Sequence, residues 1–233
     1  MVLTVHHLGI SQSERVVWLC EALKIQYDLK LYKRAPVLAP PEYSALHPIG
    51  AAPVITDGDS TIAESEACVE YIVNIYGGGK LTVGPGAKNY PDYLYWYHFI
   101  NGTLQPALSR VMALRSSGVA EDNPTRQRYE GKVDQVFAYA NKRLGEATYL
   151  AGDELTVADI MAVFSFATVR KFYHLDETNY PNITAYLQRI AKLDSYQRAM
   201  KKGDPDLAIE ELISPKGPEL IEALRKPGGI SNK

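Results

Sequence analysis

Glu64 and Ser65 are the side chains of this sequence best placed by their neighbours to bind a charged ligand. After them Cys68, Val69, Ile72, Val73 and Tyr76 recur at helical spacing, so Ser65 reads as the N-cap of a helix. A helix N-terminus presents unpaired N–H groups and partial positive charge, which favour a carboxylate. Glu64, beside it, accepts an ammonium. Upstream, Val54 and Ile55 read as a short strand, and Asp57-Gly58 is a hairpin turn signal. Pro53 stands at the mouth of that strand and brings no N–H to a ladder. With a cis bond before it, the amide and carbonyl of Ala52 face outward, and a small peptide pairs with them as an added strand. The stretch 50–65 thus suits a zwitterionic peptide. The same residues also make an ordinary hairpin leading into a capped helix, and spacing does not choose between the two.

The elements that must hold this stretch can be read on either side of it. Residues 3–7 alternate as a strand, a turn of Gly9, Ile10, Ser11, Gln12 and Ser13 follows, and Val16, Leu19, Cys20 and Leu23 share one helix face. Tyr27, Leu29 and Leu31 alternate with polar residues as a second strand, predicting a right-handed βαβ unit with a parallel pair. Pro36, Pro40 and Pro41 rule out a regular element before a short helical turn at 42–46. Gly77, Gly78, Gly79 and then Gly84-Pro85-Gly86 form the strongest break in the chain, and no strand is predicted beyond it. The reading is a first domain over 1–78, a linker over 79–91 and a helical domain over 92–233. In the second part a long aromatic-rich helix runs from 92 to about 115, with a bend expected at Gly102 or Pro106. Asn123-Pro124 starts another helix, and Thr156 with Asp159 makes a capping-box pattern ahead of a very apolar helix.

Composition narrows the class. A chain of 233 residues with 46% hydrophobic residues can bury a full core, and a net charge of −2 gives no attraction to nucleic acid or to an anionic membrane. Cys20 and Cys68 form no C-x-x-C motif, which fits a reducing, cytoplasmic setting. The first residues lack the basic-then-apolar pattern of a secretory signal, and no apolar run approaches ~18 residues. His6, His7, His47, His98 and His174 have no metal-ligand spacing, so no metal is expected.

The order of these features resembles the glutathione transferase family. The run from His47 through Gly50, Ala52 and Pro53 to Ile55 is similar to its loop into a cis-proline, and Ala63-Glu64-Ser65 to the acidic-Ser pair that holds the γ-glutamyl end of glutathione. Leu155-Thr156-Val157-Ala158-Asp159 is similar to its buried capping box, and Tyr180-Pro181-Asn182-Ile183 and Asp194-Ser195-Tyr196 to its closing helices. The resemblance implies a thioredoxin-like α/β domain followed by an all-α helical bundle. It also implies a homodimer, glutathione as co-substrate on Ala52, Pro53, Glu64 and Ser65, and attack of the glutathione sulfur on small apolar electrophiles in detoxification.

That chemistry needs a thiolate. A free thiol has a pKa of ~8.5, and lowering it by ~2 units takes ~2.7 kcal/mol of preferential thiolate stabilisation. In serine-type relatives the hydroxyl that supplies it lies four residues before an arginine of the first helix. Counting back from Arg15 gives Ser11, with Ser13 as a helix-start cap. Ser13, His6, His7 and Tyr32 stay as other contributors. The turn holds no cysteine, no Ser-Ser-Cys run and no tyrosine, which sets the chain apart from three other branches of the family. Tyr97, Met112 and Arg115 are the residues offered for an electrophile pocket, with plain packing as the alternative for each. A non-catalytic binding or regulatory protein and a glutathione-dependent peroxidase remain alternative readings of the same fold.

Overall fold

The computed structural model describes residues 2–225; the final stretch of the expected second domain, 226–233, lies outside the described residues. β1 (Thr4–Leu8), α1 (Glu14–Leu23) and β2 (Asp28–Tyr32) form the expected parallel unit, with Val5 opposite Leu29. After the short α2 (Pro41–Ser44), β3 (Val54–Asp57) pairs antiparallel with β1, and β4 (Ser60–Ala63) pairs antiparallel with β3. The four strands lie in the order β2-β1-β3-β4. Because β1 is central, it is covered on both faces. Leu3 and Val5 join the main core with α1, while Leu8 packs with Tyr43 of α2 and Val54. The same alternation buries His6 and His7 on opposite faces of the strand.

α3 (Ser65–Ile75) buries Cys68, Val69, Ile72 and Val73 at the expected spacing. The expectation that Ser65 is its N-cap is corrected. Glu64 holds that position with φ +70° and ψ 123°, and Ser65 is the first helical residue. The hydroxyl of Ser65 is taken up by two tertiary partners, so it does not turn to the helix N–H groups.

The long aromatic helix begins at Tyr90, two residues before the expected start, because Pro91 fits a first helical turn where no N–H is needed. α4 (Tyr90–Phe99) passes through a π-helical turn at Ile100–Leu104 into α5 (Gln105–Ser116). Pro106 explains the widening: it brings no N–H to Gly102 and crowds the preceding turn. α6 (Pro124–Glu146) starts at Asn123, whose side chain accepts the N–H groups of Thr125 and Arg126. α7 (Val157–Phe166) is buried along its whole length. Asp159 closes the capping box on Thr156 and also accepts from the Leu150 N–H at 2.9 Å and the Tyr186 hydroxyl at 3.2 Å.

α8 (Pro181–Ala191), α9 (Asp194–Gly203) and α10 (Ile209–Leu212) complete the helical part. One continuous apolar core runs from Leu3 and Val5 of the sheet through α7 to Tyr196 of α9. α9 lies directly on α1. The Trp18 and Tyr196 rings meet edge to face at 5.1 Å, Trp18 Nε1 donates to Ser195 Oγ at 3.1 Å, and Glu21 pairs with Arg198 and Lys202. That docking carries Asp204, just past α9, to the turn after β1. No helix among the described residues is long and apolar enough to cross a membrane.

Candidate active site

A cleft of about 290 Å³ opens between the sheet domain and α5. Gln12, Ala51, Ala52, Glu64 and Ser65 line one wall, and Asn101, Gln105, Pro106 and Ser109 the other. The Ala52–Pro53 bond is cis, and the β-ladder begins at Val54, so Ala52 reaches the cleft outside the ladder.

The Ser65 hydroxyl is aimed by a buried arginine. Arg15, fully enclosed, donates to Ser65 Oγ at 3.0 Å, to Asn101 Oδ1 at 3.1 Å, to Ser165 Oγ at 3.2 Å and to the side chain of Gln12. Asn101 Nδ2 donates to the same Ser65 oxygen at 3.0 Å. With both lone pairs accepting, the Ser65 hydrogen is left for an acceptor in the cleft. Burial weakens Arg15's hold on its proton, lowering its pKa to about 9, so the guanidinium stays charged at neutral pH. Glu64 is held in a backbone region that costs a non-glycine residue ~1–3 kcal/mol, and its side chain joins the cleft wall beside Ser65.

Ser11 and Ser13, the two predicted catalytic residues, flank the cleft residue Gln12 without lining the cleft themselves, and they form one unit. Ser11 Oγ lies 2.7 Å from Ser13 Oγ and accepts the Ser13 N–H at 3.1 Å. Ser13 stands at the N-cap position of α1, but its hydroxyl makes no helix-capping bond. The expectation that it caps is therefore corrected: Ser13 Oγ turns back to β1, accepting the Leu8 N–H at 3.1 Å and meeting His7 Nδ1 at 2.9 Å. His7 Nε2 lies 3.0 Å from Asp204 Oδ2, and Asp204 Oδ1 accepts the Ile10 N–H at 2.8 Å. Ile10 sits at φ +53°, unusual for a β-branched residue. Asp204 on its N–H and Arg34 on its carbonyl, at 2.8 Å, hold it there and so place Ser11. His6 and Tyr32 bond to each other on the opposite face of the sheet and do not join the serines.

Two of the residues offered for an electrophile pocket serve elsewhere. The Tyr97 ring is buried against Tyr93 and its hydroxyl donates to the Glu66 carbonyl, on the α3 side of α4. Arg115 ties α5 to its neighbours, pairing with Glu130 at 2.9 Å and donating to the His174 carbonyl at 2.9 Å. Met112 is half-buried against the core and does not line the cleft; Gln105, Pro106 and Ser109 form the α5 wall instead. Burial pushes the thiol of Cys68 up to about 12 and that of Cys20 further still, so neither is a thiolate nucleophile. No cluster of potential metal ligands occurs among the described residues.

Residues 11–75 match the model of the glutathione S-transferase N-terminal domain, and residues 99–194 that of its C-terminal domain. Glutathione S-transferase 1 of Manduca sexta is 31% identical over 210 residues, which span 88% of this chain and 94% of that protein. The chain belongs to the glutathione S-transferase family. A glutathione S-transferase structure from Actinobacillus pleuropneumoniae shares 30% identity and a TM-score of 0.79, covering 87% of this chain and 93% of that one. A glutathione transferase from Phanerochaete chrysosporium, solved with oxidised glutathione, shares the fold at 22% identity and a TM-score of 0.68, covering 86% and 95%. The fold of this family member is thus the expected one, an α/β sheet domain followed by a helical domain.

Sequence reasoning missed Asn101, Gln105, Ser109, Arg34 and Asp204, and used Arg15 only as a marker. The one signal for Asn101 was the Gly102 and Pro106 pair, which marked a bend without saying that it faced Ser65. Nothing in the local sequence joins Asp204 to His7, 197 residues away.

Proposed function

We propose that this glutathione transferase binds glutathione along the cleft and conjugates its sulfur to small apolar electrophiles. The cysteinyl backbone pairs with Ala52 beside Pro53, and the γ-glutamyl group lies at Glu64 and Ser65. The sulfur sits at the Ser11 turn, where a hydroxyl and the start of α1 stabilise the thiolate. The observation that carries this reading is the pair of donors converging on Ser65 Oγ. Arg15 and Asn101, from two different domains, leave that hydroxyl with a single free hydrogen at the cleft surface. A carboxylate is the ligand group that best uses such a donor backed by a buried cation and a helix N-terminus.

The electrophile enters against Gln105, Pro106 and Ser109, a wall with two hydrogen-bonding side chains and one apolar ring. The protein works as a homodimer without a metal, in the cytoplasm. Calorimetry with reduced glutathione tests the reading. The parent binds, and Ser65→Ala, which removes a hydrogen bond to a charged group worth ~1.5–3 kcal/mol, binds about 10- to 100-fold more weakly and stays folded, with a lower melting temperature because Arg15 and Asn101 lose an acceptor. Equal affinity in the two proteins would move the γ-glutamyl group away from this site.

A further inference from the structure

Holding a thiolate requires one donor, yet four side chains stand in line at the turn after β1. Ser11, Ser13, His7 and Asp204 are each more than nine-tenths buried, and adjacent members are 2.7, 2.9 and 3.0 Å apart. Asp204 accepts from Ile10 on one oxygen, and its other oxygen faces His7 Nε2, so in the neutral imidazole Nε2 carries the hydrogen and Nδ1 is the acceptor. Ser13 Oγ then has two acceptors, Nδ1 at 2.9 Å and the Leu8 carbonyl at 3.2 Å; with its hydrogen on the nearer Nδ1, Ser11 donates to Ser13. In this resting arrangement the Ser11 hydrogen points inward and its oxygen is free to accept. It cannot donate to a sulfur until every hydrogen in the chain has shifted by one place.

We propose that His7 receives the glutathione thiol proton through Ser11 and Ser13, making Ser13, His7 and Asp204 positioning residues for thiolate formation. The inference rests on the reading that the sulfur sits at Ser11. The S–H bond breaks as a Ser11 O–H bond forms. The hydrogen that Ser11 already held passes to Ser13, and that of Ser13 passes to His7 Nδ1. The net change is one proton moved from sulfur to imidazole, with no change of oxidation state.

Every group remains paired afterwards. The thiolate accepts from Ser11, whose oxygen now accepts from the Ser13 hydroxyl and N–H. Ser13 accepts from the imidazolium and from the Leu8 N–H, and the Asp204 carboxylate neutralises the imidazolium. Close packing supports the arrangement: a Cβ on Gly203 would lie 3.0 Å from His7 Nε2, so a side chain where α9 ends would crowd the imidazole. The other polar and charged groups around the chain are Glu14 and Arg15 of α1, Arg34 after β2 and Tyr196 of α9. Arg15 is committed to Ser65 and Arg34 to the Gly9 and Ile10 carbonyls. Glu14 keeps its proton up to about 8 because it is buried. Asp204 is therefore the anion that faces His7.

The test counts protons. Reduced glutathione is titrated into the protein at pH 7 in buffers of different ionisation enthalpy, while ultraviolet absorbance reports thiolate. The proposal predicts a thiolate band with almost no proton released to buffer, because the proton stays on the protein. A thiolate band with one proton released per site would overturn the relay and leave the transferase reading standing. Absence of a thiolate band in the parent would overturn both. In His7→Gln, glutathione still binds but the band is lost at pH 7 and returns only as pH passes ~8.5. An undiminished band in that variant at pH 7 would also overturn the relay.

Discussion

At the scale of single residues, this protein places charge and hydroxyl groups where burial makes them consequential. Glu14 is an example outside the cleft. Burial, with the Asp204 charge adding to it, raises its carboxyl from the usual value to about 8. Between about 4.5 and 8 the unfolded chain has lost that proton while the folded protein keeps it, so the unfolded state binds fewer protons. Stability contributed by this group is therefore full at low pH and falls as pH rises towards 8, with a slope of up to ~1.4 kcal/mol per pH unit. Urea unfolding from pH 5 to 8 should show that decline, and Glu14→Gln should flatten it. An unchanged slope in the variant would mean that Glu14 is ionised when folded. Glu64 and Ser65 were legible as a candidate site because they follow a hairpin and open an amphipathic helix, and both line the cleft. Arg15, Asn101 and Asp204 were not, because their partners lie 50, 36 and 197 residues away in the chain.

At the scale of elements, the strands and most helices could be read because their signals are local: alternation in residues 3–7, prolines at 124 and 181, the capping pair Thr156 and Asp159. The errors share a cause. Ser65 and Ser13 both carry the side chain of an N-cap, and in both a tertiary partner takes the hydroxyl before the helix can use it. Asp159 shows the opposite case, where local and tertiary bonds agree. It accepts from Leu150 and Thr156 backbone N–H groups and from Tyr186, all within the core. Asp159→Ala should leave two buried N–H groups without acceptors and cost about 3 kcal/mol, read as a lower urea midpoint. Asp159→Asn, which keeps one acceptor oxygen, should lose less. Equal midpoints for Asp159→Ala and the parent would mean that water replaces the carboxylate.

At the scale of the whole molecule, the order of sheet and helices was visible in the glycine-rich break and in the lack of strand patterns after it. The cleft was not, because it is made where the two parts meet. Asn101 comes from a π-helical turn of one part and Ser65 from a helix of the other, while Asp204 returns from α9 to the turn after β1. A surface feature belongs to the same scale. α3 and α4 leave Ile75 and Leu94 exposed beside a crevice of about 310 Å³ lined by Val69, Glu70, Tyr90 and Tyr93. In the proposed homodimer this is the surface that a second copy would cover. Light scattering at micromolar concentration should give twice the 25.9 kDa of one chain. A monomer mass would remove the proposed homodimer.

The central claim is that a serine hydroxyl at position 11 stabilises the glutathione thiolate, and a pH–rate profile of Ser11→Ala beside the parent tests it most directly. With glutathione saturating and a small apolar electrophile, the account predicts a turnover deficit of about tenfold or more at pH 6.5. The deficit should shrink as pH rises past ~8.5, where the thiol ionises without help, while glutathione affinity is nearly unchanged. A Ser11→Ala profile that runs parallel to the parent's, or shows no deficit at any pH, would contradict it.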